Sequence, residues 1–268
     1  CPRGAKRPAA VLAPRPTVTP LPRRAMLGLI AGLPLAACTQ KQRGPNEIWV
    51  GSSPTGVPFS FVDPATNELT GAMIDIARAV LRYLGIEGDY RAAPFSALIP
   101  SLTTGRVDMI AAAMQRTPDR AKIVDFSAPV FSYGGGLVVR SDDRAAYPSL
   151  SAARRLRVGA QVGTRFVDQL HAAGVARVTT YDGLGEIVRD LANGRIDAGY
   201  GDDPILRYQL RVGPRRPVRM AAGFRPPVRE DLCLIVARGS PLLPRLDDAI
   251  AHLKAADIPA ILHHWELD

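Results

Sequence analysis

Short continuous apolar runs alternate along this chain with segments in which apolar residues recur every three or four positions. Residues 48–51 and 107–114 are apolar runs, the second interrupted only by Asp108, and both predict strands. Residues 71–84 have the spacing of an amphipathic helix, and Gly85 is suited to the position just after its end. Strands that alternate with helices in this way predict an α/β fold with largely parallel sheets.

A four-residue pattern occurs twice, as Gly105-Arg106-Val107-Asp108 and as Gly194-Arg195-Ile196-Asp197. Each copy follows a predicted helix and begins a predicted strand. Each strand then leads to a polar residue followed by proline, Thr117-Pro118 or Asp203-Pro204, which predicts a helix N-cap with proline at the first helical position. The repetition predicts two similar lobes, whose strand ends and helix N-termini would place polar groups at one shared cleft.

The net charge of +9 is concentrated at the N-terminus. Residues 1–37 contain six Lys and Arg and no acidic residue, and removing those six from the total of 34 leaves 28 basic against 25 acidic residues. A body so close to neutral lacks the basic surface typical of nucleic-acid-binding proteins. We therefore expect no nucleic-acid partner.

The same N-terminal region has the pattern of an export signal. Arg23-Arg24 precede an uncharged apolar stretch, residues 25–37, that is too short to span a bilayer. Leu35-Ala36-Ala37-Cys38 at its end resembles the lipobox of bacterial lipoproteins, which implies lipidation of Cys38. We expect residues 1–37 to be the leader, residues 38–46 a linker, and the proline-rich residues 1–22 either disordered or a mis-assigned start. The double arginine also resembles a twin-arginine export signal, so the export route stays open.

Three residues of the body have side chains suited to a small charged ligand. Arg120 lies near the start of the helix predicted after Thr117, where a guanidinium beside free N–H groups suits a carboxylate. The alternative is a surface ion pair with a neighbouring aspartate, Asp119 or Asp125. Thr164 either caps the next helix or helps hold a carboxylate, and Asp202 ends an apolar strand and is free to meet a cation if Asp203 caps the helix.

Motifs of catalysis and of metal binding are absent from the sequence. It contains neither the H-E-x-x-H zinc motif nor the G-x-S-x-G nucleophile motif. Its three cysteines cannot all pair and none belongs to a C-x-x-C, so neither a disulfide framework nor a zinc site is predicted. We expect a binding protein without metal or cofactor rather than an enzyme.

From about Ile48 to Trp265 the body resembles bacterial extracellular solute-binding proteins of family 3, the polar amino-acid receptors of ABC importers. Seven stretches carry the resemblance in the family's order: Val57-Pro58-Phe59-Ser60-Phe61, Gly71-Ala72-Met73-Ile74-Asp75-Ile76-Ala77, Phe95-Ser96-Ala97-Leu98-Ile99-Pro100, Gly105-Arg106-Val107-Asp108, Thr117-Pro118-Asp119-Arg120 with Asp125-Phe126-Ser127, Val158-Gly159 to Gly163-Thr164, and Gly194-Arg195-Ile196-Asp197 to Asp202.

The resemblance implies the type II periplasmic-binding-protein fold, in which two α/β lobes are joined by two hinge strands, here near 131–138 and 230–236. Lobe 1 would comprise residues 47–134 and 233–268, and lobe 2 residues 135–232. It also implies a monomer in the periplasm or cell envelope, anchored by lipid, that passes an amino acid or a similar small carboxylate to a membrane permease.

The resemblance further implies a role for each residue of the site. Arg120 would bind the ligand α-carboxylate from lobe 1, with Thr164 and the backbone of Gly163 from lobe 2. Asp202 and the carbonyl of Ala113 would hold the α-ammonium. The residues expected around the ligand side chain are Phe95, Gln115 and Gln161.

Some positions depart from the family pattern. Gly56 stands where an aromatic residue is usual, and Gln115 stands where a small hydroxyl residue is usual. Arg116 and Arg165 add two cations, so we expect a more cationic pocket mouth and a preference for acidic or carboxylate-rich ligands. Two alternatives to a transport receptor remain: a stand-alone accessory or sensory binding protein, and an enzyme that resembles cyclohexadienyl dehydratases.

Overall fold

The computed structural model describes residue 44 and residues 46–267. The predicted leader at 1–37 and the predicted anchor Cys38 lie outside the described residues, as does most of the predicted linker at 38–46. Within the part of the chain that is described, no helix has the length and apolar character needed to cross a membrane.

The elements follow one another in the order that the periodicity predicts, short strands interleaved with helices. The strands are β1 (Glu47–Ser52), β2 (Thr55–Gly56), β3 (Ser60–Val62), β4 (Leu69–Thr70), β5 (Glu87–Ala92), β6 (Met109–Ile110), β7 (Val124–Phe126), β8 (Phe131–Arg140), β9 (Arg157–Gln161), β10 (Arg177–Tyr181), β11 (Ala198–Asp202), β12 (Val218–Met220), β13 (Arg229–Leu232) and β14 (Ile235–Ala237). The α-helices are α1 (Ala72–Tyr83), α2 (Leu98–Thr103), α3 (Arg165–Ala172), α4 (Leu184–Ala192), α5 (Asp203–Val212), α6 (Leu242–Leu253) and α7 (Asp257–His264), and short 3-10 turns occupy Phe95–Ala97, Arg120–Lys122 and Leu150–Ala153.

Two sheets of similar design organise these elements. The first has the order β5-β1-β6-β14-β7, and the second has the order β10-β9-β11-β8-β12 with β13 added beside β8. In each sheet the strands linked by helices are parallel, β1 with β5 and β6, and β9 with β10 and β11. The strands that carry the chain between sheets pair antiparallel, so the sheets are mixed rather than largely parallel. We call the lobe built on the first sheet lobe 1 and the lobe built on the second sheet lobe 2.

Two antiparallel strands connect the lobes. The first half of β8 pairs with β13, from Phe131 opposite Leu232 to Gly134 opposite Arg229, and its second half pairs with β11 and β12 in lobe 2. We call β8 and β13 the hinge strands. The glycines at 134–136 serve close packing here, because a Cβ on Gly135 would lie 2.4 Å from the Tyr200 hydroxyl oxygen. The chain is therefore a two-lobed α/β protein, as predicted.

The repeated four-residue pattern has the same structure in both lobes. Gly105 and Gly194 adopt positive φ values of 70° and 72°, which an L side chain disfavours. The Asp108 carboxylate accepts a hydrogen bond from the Trp49 backbone N–H at 2.8 Å, and the Asp197 carboxylate accepts one from Arg157 at 2.9 Å. Each aspartate thus ties the start of its strand to the neighbouring parallel strand, β1 in lobe 1 and β9 in lobe 2.

Three of the sequence predictions were wrong in detail. The apolar run at 107–114 forms a strand only at β6, because a continuous apolar run specifies burial and not the strand itself. The helix predicted after Thr117 is a 3-10 turn of three residues, Arg120–Lys122. The helix after Asp202 does form, but it begins at Asp203, so Asp202 and not Asp203 is the N-cap residue.

Candidate ligand-binding site

Arg120 reaches from lobe 1 to lobe 2. Its backbone N–H donates to the Thr117 hydroxyl oxygen at 3.3 Å, which fixes the turn that carries it. Its guanidinium donates to the carbonyl of Gln115 at 2.7 Å and, across the cleft, to the carbonyl of Gly163 at 3.1 Å. Each terminal nitrogen has two hydrogens, so N–H groups remain for a ligand.

Arg120 does not form the alternative surface ion pair, because both neighbouring aspartates have other partners. Asp119 pairs with Lys122 at 2.6 Å, and the Asp125 carboxylate accepts a hydrogen bond from the Gly239 N–H at 2.7 Å. Burial lowers the pKa of Arg120, and the nearby Asp202 opposes that shift. The guanidinium carbon lies 5.6 Å from the centre of the Phe95 ring, which is itself buried. Phe95 thus forms one wall beside Arg120.

The N-terminus of α3 supplies the facing side of the site. Thr164 is the N-cap residue, as predicted, but its hydroxyl donates back to the Gln161 carbonyl at 2.7 Å and does not cap the helix. Gly163 has φ of 74°, and a Cβ there would lie 3.0 Å from the Ser96 Cβ of lobe 1. The first N–H groups of a helix have no partner within the helix, so they suit an anion at this position.

Asp202 is almost completely buried, with 4% of its surface exposed, at the end of β11. Its carboxylate accepts a hydrogen bond from the Tyr133 hydroxyl at 2.6 Å, and the same hydroxyl lies 3.4 Å from the Ala113 carbonyl oxygen. Burial raises the pKa of Asp202 to about 6, although the Tyr133 hydrogen bond and the positive charges of Arg165 and Arg120 act in the opposite direction. Its neighbour Asp203 pairs with Arg207 at 2.6 Å and makes no helix cap.

Gln115 connects the groups of both lobes. Its side-chain NH₂ donates to the Tyr133 carbonyl at 2.8 Å, and its side-chain oxygen accepts from Nε of Arg165 at 2.6 Å. Its backbone carbonyl accepts the hydrogen bond from Arg120 described above. Gln115 is buried; its side-chain amide links Arg165 to the hinge strand β8, and its backbone carbonyl positions Arg120.

The two extra arginines have different environments. Arg165 is buried, with 7% of its surface exposed, and it lies inside the interlobe site. Arg116 is exposed, and it donates to the Phe126 carbonyl at 3.3 Å with its guanidinium over the Phe126 ring. The expectation of two added cations was therefore wrong for Arg116, whose guanidinium contacts Phe126 and none of the site residues named above.

Gln161 makes a further contact between the lobes at this site. Its side-chain NH₂ donates to the Thr55 hydroxyl at 3.2 Å and to the Asp182 carbonyl at 2.8 Å. The structure thus brings the predicted residues of both lobes together. Sequence reasoning missed Tyr133 and Thr55, and the signal for Tyr133 was its place just before the three glycines of a predicted crossover.

A separate cavity of about 650 Å³ lies between the hinge strand β8 and helix α5. It shares Tyr133 with the interlobe site. Four of its charged lining residues form ion pairs, Asp203 with Arg207 and Arg211 with Glu266, and the fifth, Arg229, donates to the Ser132 carbonyl. Because those charges already have partners, this cavity does not compete with the interlobe site as the place for a charged ligand. Within the described residues no group of histidine, cysteine and acidic side chains is arranged to hold a metal.

Two α/β lobes on a pair of hinge strands, with opposite charges facing one interlobe site, define a solute-binding receptor. The sequence model of the bacterial extracellular solute-binding proteins, family 3, matches residues 48–267, and the chain belongs to this family. The chain is 28% identical to the ABC transporter arginine-binding protein 1 of Escherichia coli strain K12 over 242 residues, covering 86% of this chain and 94% of that protein.

Solved structures agree with this assignment. An ancestral arginine-binding protein bound to arginine superposes with a TM-score of 0.76 at 29% identity, covering 82% of this chain and 98% of the other. An ancestral amino-acid-binding protein, described as a precursor of cyclohexadienyl dehydratase, superposes with a TM-score of 0.74 at 26% identity, covering 82% and 95%.

Proposed function

We propose that this protein is the substrate-binding receptor of an ABC importer and that it captures an α-amino acid between its lobes. The observation that carries the proposal is the placement of a cation of lobe 1, Arg120, and a buried carboxylate of lobe 2, Asp202, at one site. The two groups are near enough for each charge to shift the pKa of the other. A zwitterion needs one partner of each sign.

Each side chain has a role in this proposal. Arg120 binds the α-carboxylate together with Thr164 and the first N–H groups of α3, beside Gly163, and Asp202 binds the α-ammonium. The Ala113 carbonyl accepts a further ammonium hydrogen, since a carbonyl oxygen has two lone pairs and its bond from Tyr133 is long at 3.4 Å. The side chain of the ligand lies among Phe95, Gln115 and Gln161.

Capture involves closure of the lobes about the hinge strands. We assign residues 47–134 and 233–268 to lobe 1 and residues 135–232 to lobe 2. Hydrogen bonds join lobe 1 to lobe 2 across the site from Arg120 to the Gly163 carbonyl, from Gln161 to the Thr55 hydroxyl and from Arg165 to the Gln115 side-chain oxygen. These bonds belong to the closed arrangement and would break when the lobes open.

The protein would work in the cell envelope. The lipobox pattern ending at Cys38 supports a lipid anchor there, which would hold a monomeric receptor near its membrane permease. The name of the E. coli relative, an ABC transporter arginine-binding protein, supports the importer. An accessory or sensory protein would bind its ligand in the same way. Deletion of the gene should reduce amino-acid uptake if the protein is an importer receptor, and should leave uptake unchanged if it is an accessory or sensory protein.

We infer that the protein binds its ligand without catalysing a reaction on it. A dehydratase on this fold needs an acid or base beside the substrate. The residue after Thr164 is an arginine and not an acid. The one buried carboxylate among the described residues of the site, Asp202, already has a role as the partner of the ligand ammonium. Incubation with arogenate or prephenate and detection of an aromatic product tests this inference; product formation above the rate in buffer contradicts it.

The direct test of the proposed function is a thermal-shift screen with the L-amino acids, followed by calorimetry. A ligand at about a hundred times its Kd adds about 2.7 kcal/mol to the free energy of unfolding, which is a readily measured shift in melting temperature. We expect at least one α-amino acid to stabilise the protein, and its decarboxylated amine and deaminated acid to bind far more weakly. Absence of binding by every amino acid contradicts the proposal.

A further inference from the structure

The Arg165 side chain has two hydrogen-bonding groups without partners. Its Nε donates to Gln115, but its terminal nitrogens Nη1 and Nη2 are both buried and donate to no protein group among the described residues. Among the described residues it forms no ion pair within 4.0 Å, and the Asp202 carboxylate receives its hydrogen bond from Tyr133 instead. The cation does lie 4.9 Å from the centre of the Phe166 ring.

A guanidinium in this position is unusual because buried charges are normally paired or fully hydrogen-bonded. Arg165 and Asp202 are the two charged side chains that are buried in the described part of the chain, and both lie at the interlobe site. The contacts with Gln115 and Phe166 hold the plane of the guanidinium without using its two terminal nitrogens. The arrangement leaves a fixed two-pronged donor, which matches the two oxygens of a carboxylate.

We propose that Arg165 binds a second acid group of the ligand, so that this receptor takes an amino acid with an acidic side chain. The inference rests on the proposed function and adds the class of ligand to it. Arg120 and Arg165 contribute two positive charges and Asp202 one negative charge. A neutral zwitterion leaves one positive charge unbalanced, whereas an amino acid with a second carboxylate brings the sum to zero.

The same geometry rejects a cationic side chain. A guanidinium or ammonium group of the ligand would lie near the guanidinium of Arg165, and like charges in a site shielded from water repel strongly. Asp168 does not offset this, because it is exposed on α3. The site therefore differs in selectivity from relatives whose names specify arginine.

The test compares acid and amide ligands on the whole purified protein. Calorimetry with L-glutamate, L-aspartate, L-glutamine, L-asparagine and L-arginine gives the ranking for the wild type and for Arg165→Gln. We expect one acid to bind the wild type at least about tenfold more tightly than its amide, as a charge-assisted pair implies. In Arg165→Gln the affinity for the acid should become nearly equal to the affinity for its amide. Arg165→Lys should retain part of the preference, since it keeps the charge but not the fork.

Arg116→Gln is the matched control, because it removes a neighbouring arginine that contacts none of the named site residues and should leave the acid-to-amide ratio of affinities unchanged. The wild-type ranking decides the matter even if Arg165→Gln fails to fold. Tighter binding of arginine than of both acids overturns the inference, as does an unchanged ratio in a folded Arg165→Gln variant, or binding of no acidic probe.

Dicarboxylates without an amino group separate this inference from the proposed function. If no amino acid binds but succinate or glutarate binds in a way that depends on Arg165, the amino-acid receptor proposal fails and the acid-binding role of Arg165 stands. If neutral amino acids bind well and Arg165→Gln changes nothing, the receptor proposal stands and the role of Arg165 fails.

Discussion

The Tyr133 hydroxyl donates a 2.6 Å hydrogen bond to the buried carboxylate of Asp202. Tyr133 belongs to the hinge strand β8, and Asp202 ends a strand of lobe 2. The hinge and the proposed ammonium site are therefore joined by one short hydrogen bond. The position of the hinge strand and the charge state of the site are coupled through it.

Removing that hydroxyl should weaken ligand binding in a way that depends on pH. In Tyr133→Phe the pKa of Asp202 rises further, because the hydrogen bond that favours its charged form is lost. We expect affinity to fall at least about tenfold at pH 7, in the range for a hydrogen bond to a charged group, and by more at pH 6 than at pH 8.

Calorimetry at the three pH values measures the effect. Tyr147→Phe is the control, since it removes a similar 2.8 Å tyrosine–aspartate bond, to Asp143, elsewhere in lobe 2. An equal loss of affinity at all three pH values would show that Tyr133 does not act through the charge of Asp202.

The wild-type protein should also respond to pH through Asp202. Burial raises its pKa in the folded, ligand-free protein to about 6, so the folded state holds a proton that the unfolded state releases between roughly pH 4 and 6. The contribution of this group to the free energy of unfolding therefore falls as pH rises through that window, by about 3 kcal/mol at most. Asp202→Asn should remove this part of the pH dependence of the melting temperature.

Ligand binding shows the opposite trend. Because the ammonium group favours the charged carboxylate, affinity should fall as pH decreases below 6, approaching about tenfold per pH unit. Calorimetry in buffers of different ionisation enthalpy should detect proton release on binding near pH 5.5. Constant affinity between pH 5 and pH 8 contradicts the assignment of Asp202 to the ammonium.

Arg120 and Asp202 should act together on affinity. Arg120→Ala strands the ligand carboxylate and Asp202→Asn removes the counter-charge of the ammonium, so each single variant should lose at least about tenfold in affinity. The double variant should lose less than the product of the two, because releasing one end of the ligand already prevents closure.

Calorimetry on both single variants and the double variant measures this coupling. The controls are Arg116→Ala and Asp203→Asn, which alter a neighbouring charge of the same sign outside the site. Full affinity in Arg120→Ala would remove that residue from the site, and strictly additive losses would show that the two ends bind independently.

The close approach at Gly163 should make it sensitive to a single methyl group. Gly163→Ala places a Cβ 3.0 Å from Ser96 across the interlobe contact and also strains a residue with φ of 74°. We expect weaker ligand binding through impaired closure. Gly174→Ala is the matched control, since Gly174 has φ of 79° but open space around its Cβ. Both variants should lose stability by thermal melting, and only Gly163→Ala should lose affinity; equal affinities contradict a role for Gly163 in closure.

The anchor can be tested by substitution at Cys38. Cys38→Ser, expressed in a bacterial host, should remain uncleaved or be recovered without lipid, because only a thiol forms the thioether. Fractionation and mass spectrometry of the mature N-terminus measure this, with Cys1→Ser as the control that keeps the lipobox. Wild-type protein that is cleaved elsewhere and carries no lipid contradicts the proposal.

Periodicity in the sequence was sufficient to predict the helices and strands with a clear apolar pattern. The helix predicted at 71–84 is α1, and the helix predicted after Thr164 is α3. The local sequence pattern did not predict the correct length of short elements. Both the 3-10 turn at Arg120–Lys122 and the two-residue strand β6 are decided by neighbouring elements, because an apolar run or a capping residue specifies local preference and not length.

The residues of the proposed clamp, Arg120, Thr164 and Asp202, were identified from the sequence by resemblance, but their surroundings were not. Arg116 and Arg165 look equivalent along the chain, yet one is exposed on Phe126 and the other is buried against Gln115. The link from Tyr133 to Asp202 spans 69 positions. Burial of a charge depends on which surface of the opposite lobe covers it, and that is determined only when the two sheets and the hinge strands assemble.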